Sequence, residues 1–377
     1  MALPNAKNGD LSYASRQPEC LSEAFVWRLG SQKLVVALLR GCFRVTHCGP
    51  SLARRRKDVP ALSPEQVDFG RQHDATPSTQ TILDDVALQR NPRSRLRILF
   101  AVAHYYRKDN KGPYGSRMDR AADRTAAVEA CVTSVHRVFG RKQEIIDWSR
   151  AAVVPANHAA AHDIEIVVCT TRGDHLLNRA RLRGLYRHHR TRAEPMLLGF
   201  ECHAVLRDRL GSFDYYCFLE DDCVFHDPQF FTKLDWFNDK LGPEGLLQPQ
   251  RFELGPRGKL YVDGDIPLRY TEPYQDLRER PVVVRRFAGS SITLRRAKNP
   301  HAGAFFLNRE QMKRWAARRD FLDRDTSFVG PLESAASLSI MKAFRVYKPD
   351  LANANFFEIQ HYGSKFCDMA ARARGGR

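Results

Sequence analysis

Three consecutive acidic residues, Glu220, Asp221 and Asp222, are the part of the sequence best suited to chemistry. The apolar and aromatic stretch before them, Phe213–Leu219, favours a buried strand, and a short apolar step follows them. Adjacent carboxylates repel one another unless a cation or hydrogen-bond donors lie among them. Because hard divalent ions are held by one or two carboxylates together with substrate phosphates, the cluster predicts a metal–diphosphate site. An exposed acidic loop is the alternative.

The strand-end acids resemble the acidic motif, often written DxD, of glycosyltransferases with the GT-A fold. In that family the first acid usually contacts the ribose of a nucleotide-sugar, and the last binds the metal that bridges its diphosphate. The resemblance implies that Glu220 contacts the ribose, that Asp221 between them also binds the nucleotide-sugar by orienting the ribose and the metal's water ligands, and that Asp222 binds Mn²⁺ or Mg²⁺. Glutamate stands here where aspartate is commoner, which is a departure from the pattern.

A second element near the C-terminus has the spacing HxGxK, formed by His361, Gly363 and Lys365 after an apolar strand. It resembles an element of some GT-A transferases in which the histidine completes the metal shell and the lysine meets the diphosphate. Neutral imidazole is a ligand for Mn²⁺, and lysine neutralises phosphate. The resemblance implies His361 as a metal ligand and Lys365 as a nucleotide-sugar contact, although a lone histidine is more often structural.

Two further segments follow from the same resemblance. The end of the first predicted strand and the loop after it would hold the nucleotide, through His104, Tyr106 and Arg117. A small-residue turn before a later strand would flank the sugar and the acceptor, with His301 and Gly303 as contacts. Each of these residues could equally serve packing or lie on a solvated loop.

Glu333 is the candidate catalytic residue. Pro331 predicts the start of a helix, which places Glu333 in its first turn, where the helix dipole stabilises a carboxylate. The position resembles the acidic residue that begins the acceptor-side helix in many GT-A enzymes, which is the general base in inverting members. A retaining enzyme needs no base there, and the sequence leaves the stereochemistry open.

The elements that must position these residues alternate between strands and helices. The sequence predicts strands near residues 97–106 and 163–171, helices near 119–138, 198–210 and 227–241, and a capping box at Asn308–Gln311. This order predicts an α/β fold, GT-A-like and Rossmann-related, with a mostly parallel central sheet flanked by helices. Neither a dinucleotide glycine fingerprint nor a P-loop occurs.

The sequence predicts three parts. Residues 1–95 form a poorly defined basic extension with one helix between Ser22 and Phe43, and residues 367–377 form a frayed basic tail. Residues 96–366 form the GT-A-like domain, divided into a nucleotide-binding half (96–226) and an acceptor half (227–366). Within the acceptor half, the polar stretch Gly255–Arg286 is predicted to be a long loop that orders over substrate.

The 377-residue chain has a formal net charge of +17, which implies anionic partners such as nucleotides, phospholipid headgroups or nucleic acid. Its nine cysteines form no CxxC pair, which suggests reduced thiols and a cytoplasmic location. The longest apolar run, Leu34–Leu39, is too short to cross a membrane, but its basic flanks allow peripheral contact with a membrane surface.

These features predict a metal-dependent glycosyltransferase that moves a sugar from a nucleotide-diphosphate sugar to a carbohydrate, lipid-linked or protein acceptor. A nucleic-acid-binding protein is an alternative suggested by charge alone, but the chain has no recognisable reader motif, so nucleic acid is not an expected partner. A metal-dependent nucleotidyltransferase is another alternative. It would need a second acid pair, for which Asp263 and Asp265 are the obvious candidates.

Overall fold

The computed structural model describes residues 25–29, 32–36, 95–109, 119–278, 282–287 and 290–375. The chain divides into two compact units, residues 1–83 and 84–377. In the first unit, β1 (Phe25–Leu29) and β2 (Gln32–Val36) form an antiparallel pair. The helix predicted across this region is therefore wrong. Three of the five residues of β1 and two of the five residues of β2 are aromatic or β-branched, and such residues favour strands over helices.

The second unit contains both helices and strands. Its strands are β3 (Arg97–Ala103), β4 (Glu144–Asp147), β5 (Ala152–Pro155), β6 (Asp163–Thr171), β7 (Arg187–Thr191), β8 (Tyr215–Glu220), β9 (Cys223–Val224), β10 (Gly245–Leu247), β11 (Gln250–Gly255), β12 (Gly258–Tyr261), β13 (Val282–Phe287), β14 (Ser290–Arg296), β15 (Ala304–Asn308), β16 (Arg345–Pro349) and β17 (Glu358–His361). Its α-helices are α1 (Ala121–Phe139), α2 (Leu198–Asp208), α3 (Phe230–Leu241), α4 (Arg309–Ala316), α5 (Pro331–Glu333), α6 (Ser339–Met341) and α7 (Lys365–Gly375). A π-helical turn, Ser334–Leu338, joins α5 to α6. Among the described helices, none is long and apolar enough to cross a membrane.

The central sheet has the strand order β15-β8-β3-β6-β7, in which all strands except the edge strand β15 run parallel. Successive residues of β3 point to opposite cores, with Phe100 and Val102 in one and Leu99 and Ala101 in the other. Because helices cover both faces, these strands are continuous apolar runs rather than alternating ones. The predicted α/β fold with a mostly parallel central sheet is confirmed.

The segment that follows the acids is fixed by aromatic packing. The ring centroid of Phe225 lies 5.1 Å from that of Phe139 on α1 and 5.1 Å from that of Phe230 on α3, with nearly perpendicular planes. The ring of Phe230 in turn stacks obliquely on Phe357, at 4.2 Å between centroids. Such contacts hold the chain that follows the acids within a packed core.

Two smaller sheets extend the fold, with strand orders β10-β16-β14-β13 and β12-β11-β17-β9. In the second of these, β17 pairs antiparallel with β9, and His361 lies opposite Cys223. This pairing is what brings the C-terminal HxGxK element next to the strand-end acids.

Some predicted details differ from the structure. Helix α3 begins after Gln229, and Asp227 is not its cap but accepts a hydrogen bond from the Gln229 N–H in the preceding turn, at 2.9 Å. The stretch predicted as a long loop contains β12 and a 3-10 turn, and it leads into β13. The C-terminal tail, predicted to be frayed, forms α7. The six cysteines within the described residues are free thiols, and five of them are buried.

The capping box predicted at Asn308 is confirmed, since its side chain accepts from the Gln311 N–H while the Gln311 side chain accepts from the Asn308 N–H, both at 2.9 Å. We expect Asn308→Ala to lower the free energy of unfolding by about 1 kcal/mol, because the helix loses a cap acceptor. Asn308→Asp keeps the oxygen and is the matched control. Urea unfolding of both variants tests this, and an alanine variant as stable as the wild type would contradict it.

Candidate active site

The three acids lie at the carboxyl end of β8, at the edge of a parallel sheet where open α/β folds bind ligands. The backbone holds this turn on both sides. The Glu220 N–H donates to the Gly303 carbonyl and the Tyr362 N–H donates to the Asp222 carbonyl, each at 2.7 Å. The side chains of Glu220, Asp221 and Asp222 are only 13, 6 and 12% exposed. The alternative of an exposed acidic loop is therefore wrong.

Asp221 is held by the histidine that ends β3. The Nε2 atom of His104 accepts a hydrogen bond from the Leu176 N–H at 3.0 Å, so Nδ1 carries the proton and donates to Asp221 Oδ2 at 2.5 Å. Burial raises the pKa of Asp221, but the Arg124 charge and the His104 hydrogen bond outweigh it and lower that pKa. Asp221 is thus an ionised group already committed to protein partners.

Arg124, which the sequence analysis missed, bridges two of the acids. Its guanidinium donates from Nη2 to Asp221 Oδ1 and from Nη1 to Asp222 Oδ2, the latter at 3.1 Å. These carboxylates hold the pKa of Arg124 above its usual value even though burial opposes this. The helical spacing could have indicated that Arg124 faces the protein interior. Arg124 lies four, seven and eleven positions before the buried Val128, Cys131 and Val135, so it is on the same face of α1.

Asp222 and His361 form the pair that could hold a metal ion. Nδ1 of His361 lies 2.9 Å from Glu253 Oε1, and Nε2 faces Asp222 Oδ2 at 3.7 Å. Burial raises the pKa of Glu253, but hydrogen bonds from His361 and the Cys367 N–H prevail and lower it, so the ionised carboxylate accepts the His361 Nδ1 proton. A carboxylate behind a histidine is the arrangement that orients imidazole toward a metal.

The Asp222–His361 pair fits a hard divalent ion with few protein ligands. Asp222 Oδ1 is buried and has no hydrogen-bond partner among the described residues, so it can accept a cation. Within the described residues there is no group of three or more carboxylate, histidine or cysteine side chains that could hold an ion. The remaining coordination positions would therefore belong to water and substrate oxygens, as is usual for Mg²⁺.

Glu220 differs from its two neighbours because it keeps its proton. Burial and the nearby carboxylates, chiefly Asp222 and then Glu333, raise the pKa of Glu220 to about 8, while Arg251 opposes them. Gly303 has a φ of +60°, and a Cβ there would lie 3.1 Å from Glu220 Oε2. At neutral pH the Glu220 carboxyl is therefore mostly neutral and able to donate a hydrogen bond.

His301 connects Glu220 to the π-helical turn. Its Nε2 lies 3.8 Å from Glu220 Oε1, and its Nδ1 lies 3.2 Å from the hydroxyl of Ser337. Burial, followed by the charge of Arg251, lowers the pKa of His301 well below its usual value, so the ring is neutral. Glu333 precedes the same turn, and its Oε2 atom is buried without a partner. π-Helical turns are frequent at functional sites.

Not every predicted site residue lies with these groups. The Tyr106 hydroxyl donates to the Asp119 carbonyl at 3.2 Å. Lys365 is exposed at the first residue of α7, with Nζ 6.0 Å from the centroid of the Phe366 ring. Arg117 lies outside the described residues. The structure therefore brings together His104, Glu220, Asp221, Asp222, His301, Gly303 and His361, with Glu333 close enough to raise the pKa of Glu220.

The acid pair required by the nucleotidyltransferase alternative is not available. The Asp263 side chain is fully buried, and it accepts from Arg251 Nε and Lys348 Nζ, both at 2.8 Å. Burial raises its pKa, but these two cations lower it to about 2. Asp265 is exposed and pairs with Lys298 at 3.0 Å. Asp263 is thus a structural counter-ion rather than a second metal ligand.

No protein-family model and no curated protein matches the sequence. Similar solved structures include GalNAc-T7 with UDP, GalNAc and Mn²⁺, at 11% identity and a TM-score of 0.37, covering 71% of this chain and 43% of that chain. Another is S. aureus TarS 1–349 in complex with UDP-GlcNAc, at 11% identity and a TM-score of 0.33, covering 70% and 58%. A 4-diphosphocytidyl-2C-methyl-D-erythritol synthase from Anaerococcus prevotii has 11% identity and a TM-score of 0.31, covering 68% and 89%.

The chain spans about half the length of the GalNAc-T7 and TarS chains. The similar structures thus include complexes with UDP and GalNAc or with UDP-GlcNAc, as well as a synthase. Identities and TM-scores this low carry no conclusion about activity, which has to be argued from the site.

The raised pKa of Glu220 predicts a pH-dependent effect of Glu220→Gln on stability. In the unfolded chain Glu220 loses its proton near pH 4.5, whereas the folded protein keeps it up to about pH 8. The residue's contribution to stability is therefore complete below pH 4.5 and is lost as pH rises to 8. Since glutamine does not ionise, the variant should gain stability relative to wild type across this range, on the order of 1 kcal/mol per pH unit.

Urea unfolding between pH 5 and 8 in the presence of a chelator measures this difference. Glu310→Gln, which changes an exposed acid on α4, is the control and should give a difference that does not vary with pH. A flat profile for Glu220→Gln would mean that Glu220 is ionised in the folded protein.

Proposed function

We propose that this chain is a metal-dependent glycosyltransferase that uses a nucleotide-diphosphate sugar as donor. The main support is that every buried carboxylate oxygen without a hydrogen-bond partner in the described residues belongs to Glu220, Asp222 or Glu333. Unsatisfied buried oxygens are unfavourable, so this group calls for a ligand that supplies positive charge and hydrogen-bond donors. A divalent ion with a sugar nucleotide supplies both.

In this proposal Asp222 and His361 hold Mn²⁺ or Mg²⁺, and Glu253 keeps His361 in the tautomer that leaves Nε2 available. The bound ion would supply the positive charge that stabilises a departing nucleotide diphosphate. His104 and Arg124 fix Asp221 and so hold the turn in place. Diphosphate oxygens can complete the coordination because the described residues provide only these two ligands.

The donor sugar and the acceptor lie, in this proposal, on the side of Glu220 and Glu333. The neutral Glu220 carboxyl can donate a hydrogen bond to a ribose or sugar hydroxyl, and Gly303 leaves room for that carboxyl. His301 is neutral and can also bind a hydroxyl. Glu333 would accept the proton of the acceptor hydroxyl if the enzyme inverts configuration.

The proposal also covers further nucleotide contacts, the class of acceptor and the location of the protein. Tyr106, Arg117 and Lys365 are proposed to contact the nucleotide. The acceptor is a carbohydrate, a lipid-linked sugar or a protein. The same proposal includes a cytoplasmic location with peripheral contact to a membrane surface.

Calorimetric binding of UDP and GDP, with Mn²⁺ and with a chelator, tests the proposal. We expect one nucleotide to bind only with Mn²⁺ and Asp222→Asn to abolish that binding, because asparagine keeps the shape but removes the charge. Glu253→Gln should weaken binding by about 10–100-fold, since the acceptor that orients His361 is weakened. Asp265→Asn, which changes an exposed acid with its own lysine partner, is the control and should bind normally.

Mn²⁺-independent nucleotide binding that survives Asp222→Asn would contradict the metal assignment. Binding of nucleic acid that falls steeply with salt, in the absence of nucleotide binding, would favour the charge-based alternative. Release of UDP or GDP from a sugar nucleotide, rather than release of pyrophosphate from a nucleoside triphosphate, separates glycosyl transfer from nucleotidyl transfer.

A further inference from the structure

The oxygen that a metal ion would share with His361 is already occupied by a cation. Asp222 Oδ2 accepts from Arg124 Nη1 at 3.1 Å and also faces His361 Nε2 at 3.7 Å. The Arg124 side chain is only 11% exposed, and its other terminal nitrogen donates to Asp221. The guanidinium therefore lies within the acidic cluster itself, and not at its solvent-facing rim.

We propose that Arg124 is the counter-ion of the metal-free site and that it competes with the divalent ion for Asp222. This rests on the metal centre proposed above. A dication on Asp222 and a guanidinium at the same oxygen repel each other, so metal binding must weaken the contact between Arg124 and Asp222. Arg124 thereby sets how tightly the site binds metal.

The two contacts of the Arg124 guanidinium allow a metal ion to replace it at Asp222. Each terminal nitrogen of Arg124 contacts a different aspartate, so the contact to Asp222 can open while the contact to Asp221 remains. Asp221 also accepts from His104, which fixes it independently of Asp222. Asp222 keeps a second oxygen, Oδ1, that has no partner and is available when the carboxylate turns toward a metal.

The charges of the cluster explain why such a counter-ion is needed. Because His104 Nε2 accepts from the Leu176 N–H, its ring donates to Asp221 through Nδ1–H without carrying a charge. Among the described groups that bond to Asp221 and Asp222, Arg124 is therefore the one that carries a positive charge. Replacing Arg124 by a neutral residue leaves two partly buried carboxylates side by side. The metal-free protein then becomes less stable, and the same site attracts a divalent ion more strongly.

Mn²⁺ binding without nucleotide, followed by the electron paramagnetic resonance signal of free Mn²⁺, tests the competition. We expect Arg124→Gln to lower the Kd for Mn²⁺ by about tenfold or more, and Arg124→Lys to give a smaller decrease because it keeps the charge. Arg124→Gln should also melt at a lower temperature than wild type in a chelator and gain more from added Mn²⁺. Arg120→Gln is the control on the same helix end, since Arg120 pairs only with Asp123 in the described structure and should change neither quantity.

Several results would overturn the proposal. Mn²⁺ affinity in Arg124→Gln that equals or falls below the wild-type value means that Arg124 does not compete. If Arg124→Gln folds only with Mn²⁺ present, this recovery of folding by the metal supports the proposal. The change in Mn²⁺ affinity is then measured on Arg124→Lys. Absence of Mn²⁺ binding in every variant rejects the competition and the metal centre together. Measuring UDP and GDP binding in the same samples then shows whether the protein binds a nucleotide without a metal. If it does, and if Arg124→Gln abolishes that binding, Arg124 is the cation that binds the diphosphate.

Discussion

The structure depends on how three adjacent carboxyl groups are accommodated where a buried strand ends. Each is treated differently by its surroundings. Asp221 is ionised and saturated by His104 and Arg124, whereas Glu220 keeps its proton because burial and its neighbours raise its pKa. Asp222 is paired on one oxygen and unpaired on the other. The unsatisfied charge is thus concentrated on one atom instead of being spread over the turn, which makes Asp222 the natural place for a cation.

Neighbouring acids whose pKa values are pushed apart can take different chemical roles, one as an ionised ligand and one as a hydrogen-bond donor. The groups that separate Glu220 from Asp221 come from distant parts of the chain. Arg124 is on α1 and Glu333 opens the helical segment that contains the π-turn. The parallel sheet is what allows this, since its strands end at one edge and the loops and helices that follow them meet there.

Local patterns were sufficient to predict the parallel strands at residues 97–103 and 163–171, the longer helices, and the position of the three acids at the end of a buried strand. The strand at 163–171, the capping box at Asn308 and the position of the acids after β8 all follow from residues close in sequence. The partners of the acids do not. Arg124 is 97 residues from Asp221 and Glu253 is 108 from His361, and only tertiary packing decides such pairings. The hairpin β1–β2 was missed because a short apolar run with basic flanks fits either a helix or a strand.

The buried cluster of Arg251, Asp263 and Lys348 shows by contrast what a purely structural ionic group looks like. Asp263 accepts from both cations, and Lys348 also donates to the His301 carbonyl at 2.6 Å. Around Asp222 and Glu220, in the same part of the fold, carboxylate oxygens are left without donors. One buried charge cluster thus has all its charges paired, whereas carboxylate oxygens of the adjacent cluster lack hydrogen-bond donors among the described residues. These unpaired oxygens are available to a ligand. Through the hydrogen bond from Lys348 to the His301 carbonyl, the Arg251–Asp263–Lys348 cluster positions the backbone of His301 beside Glu220.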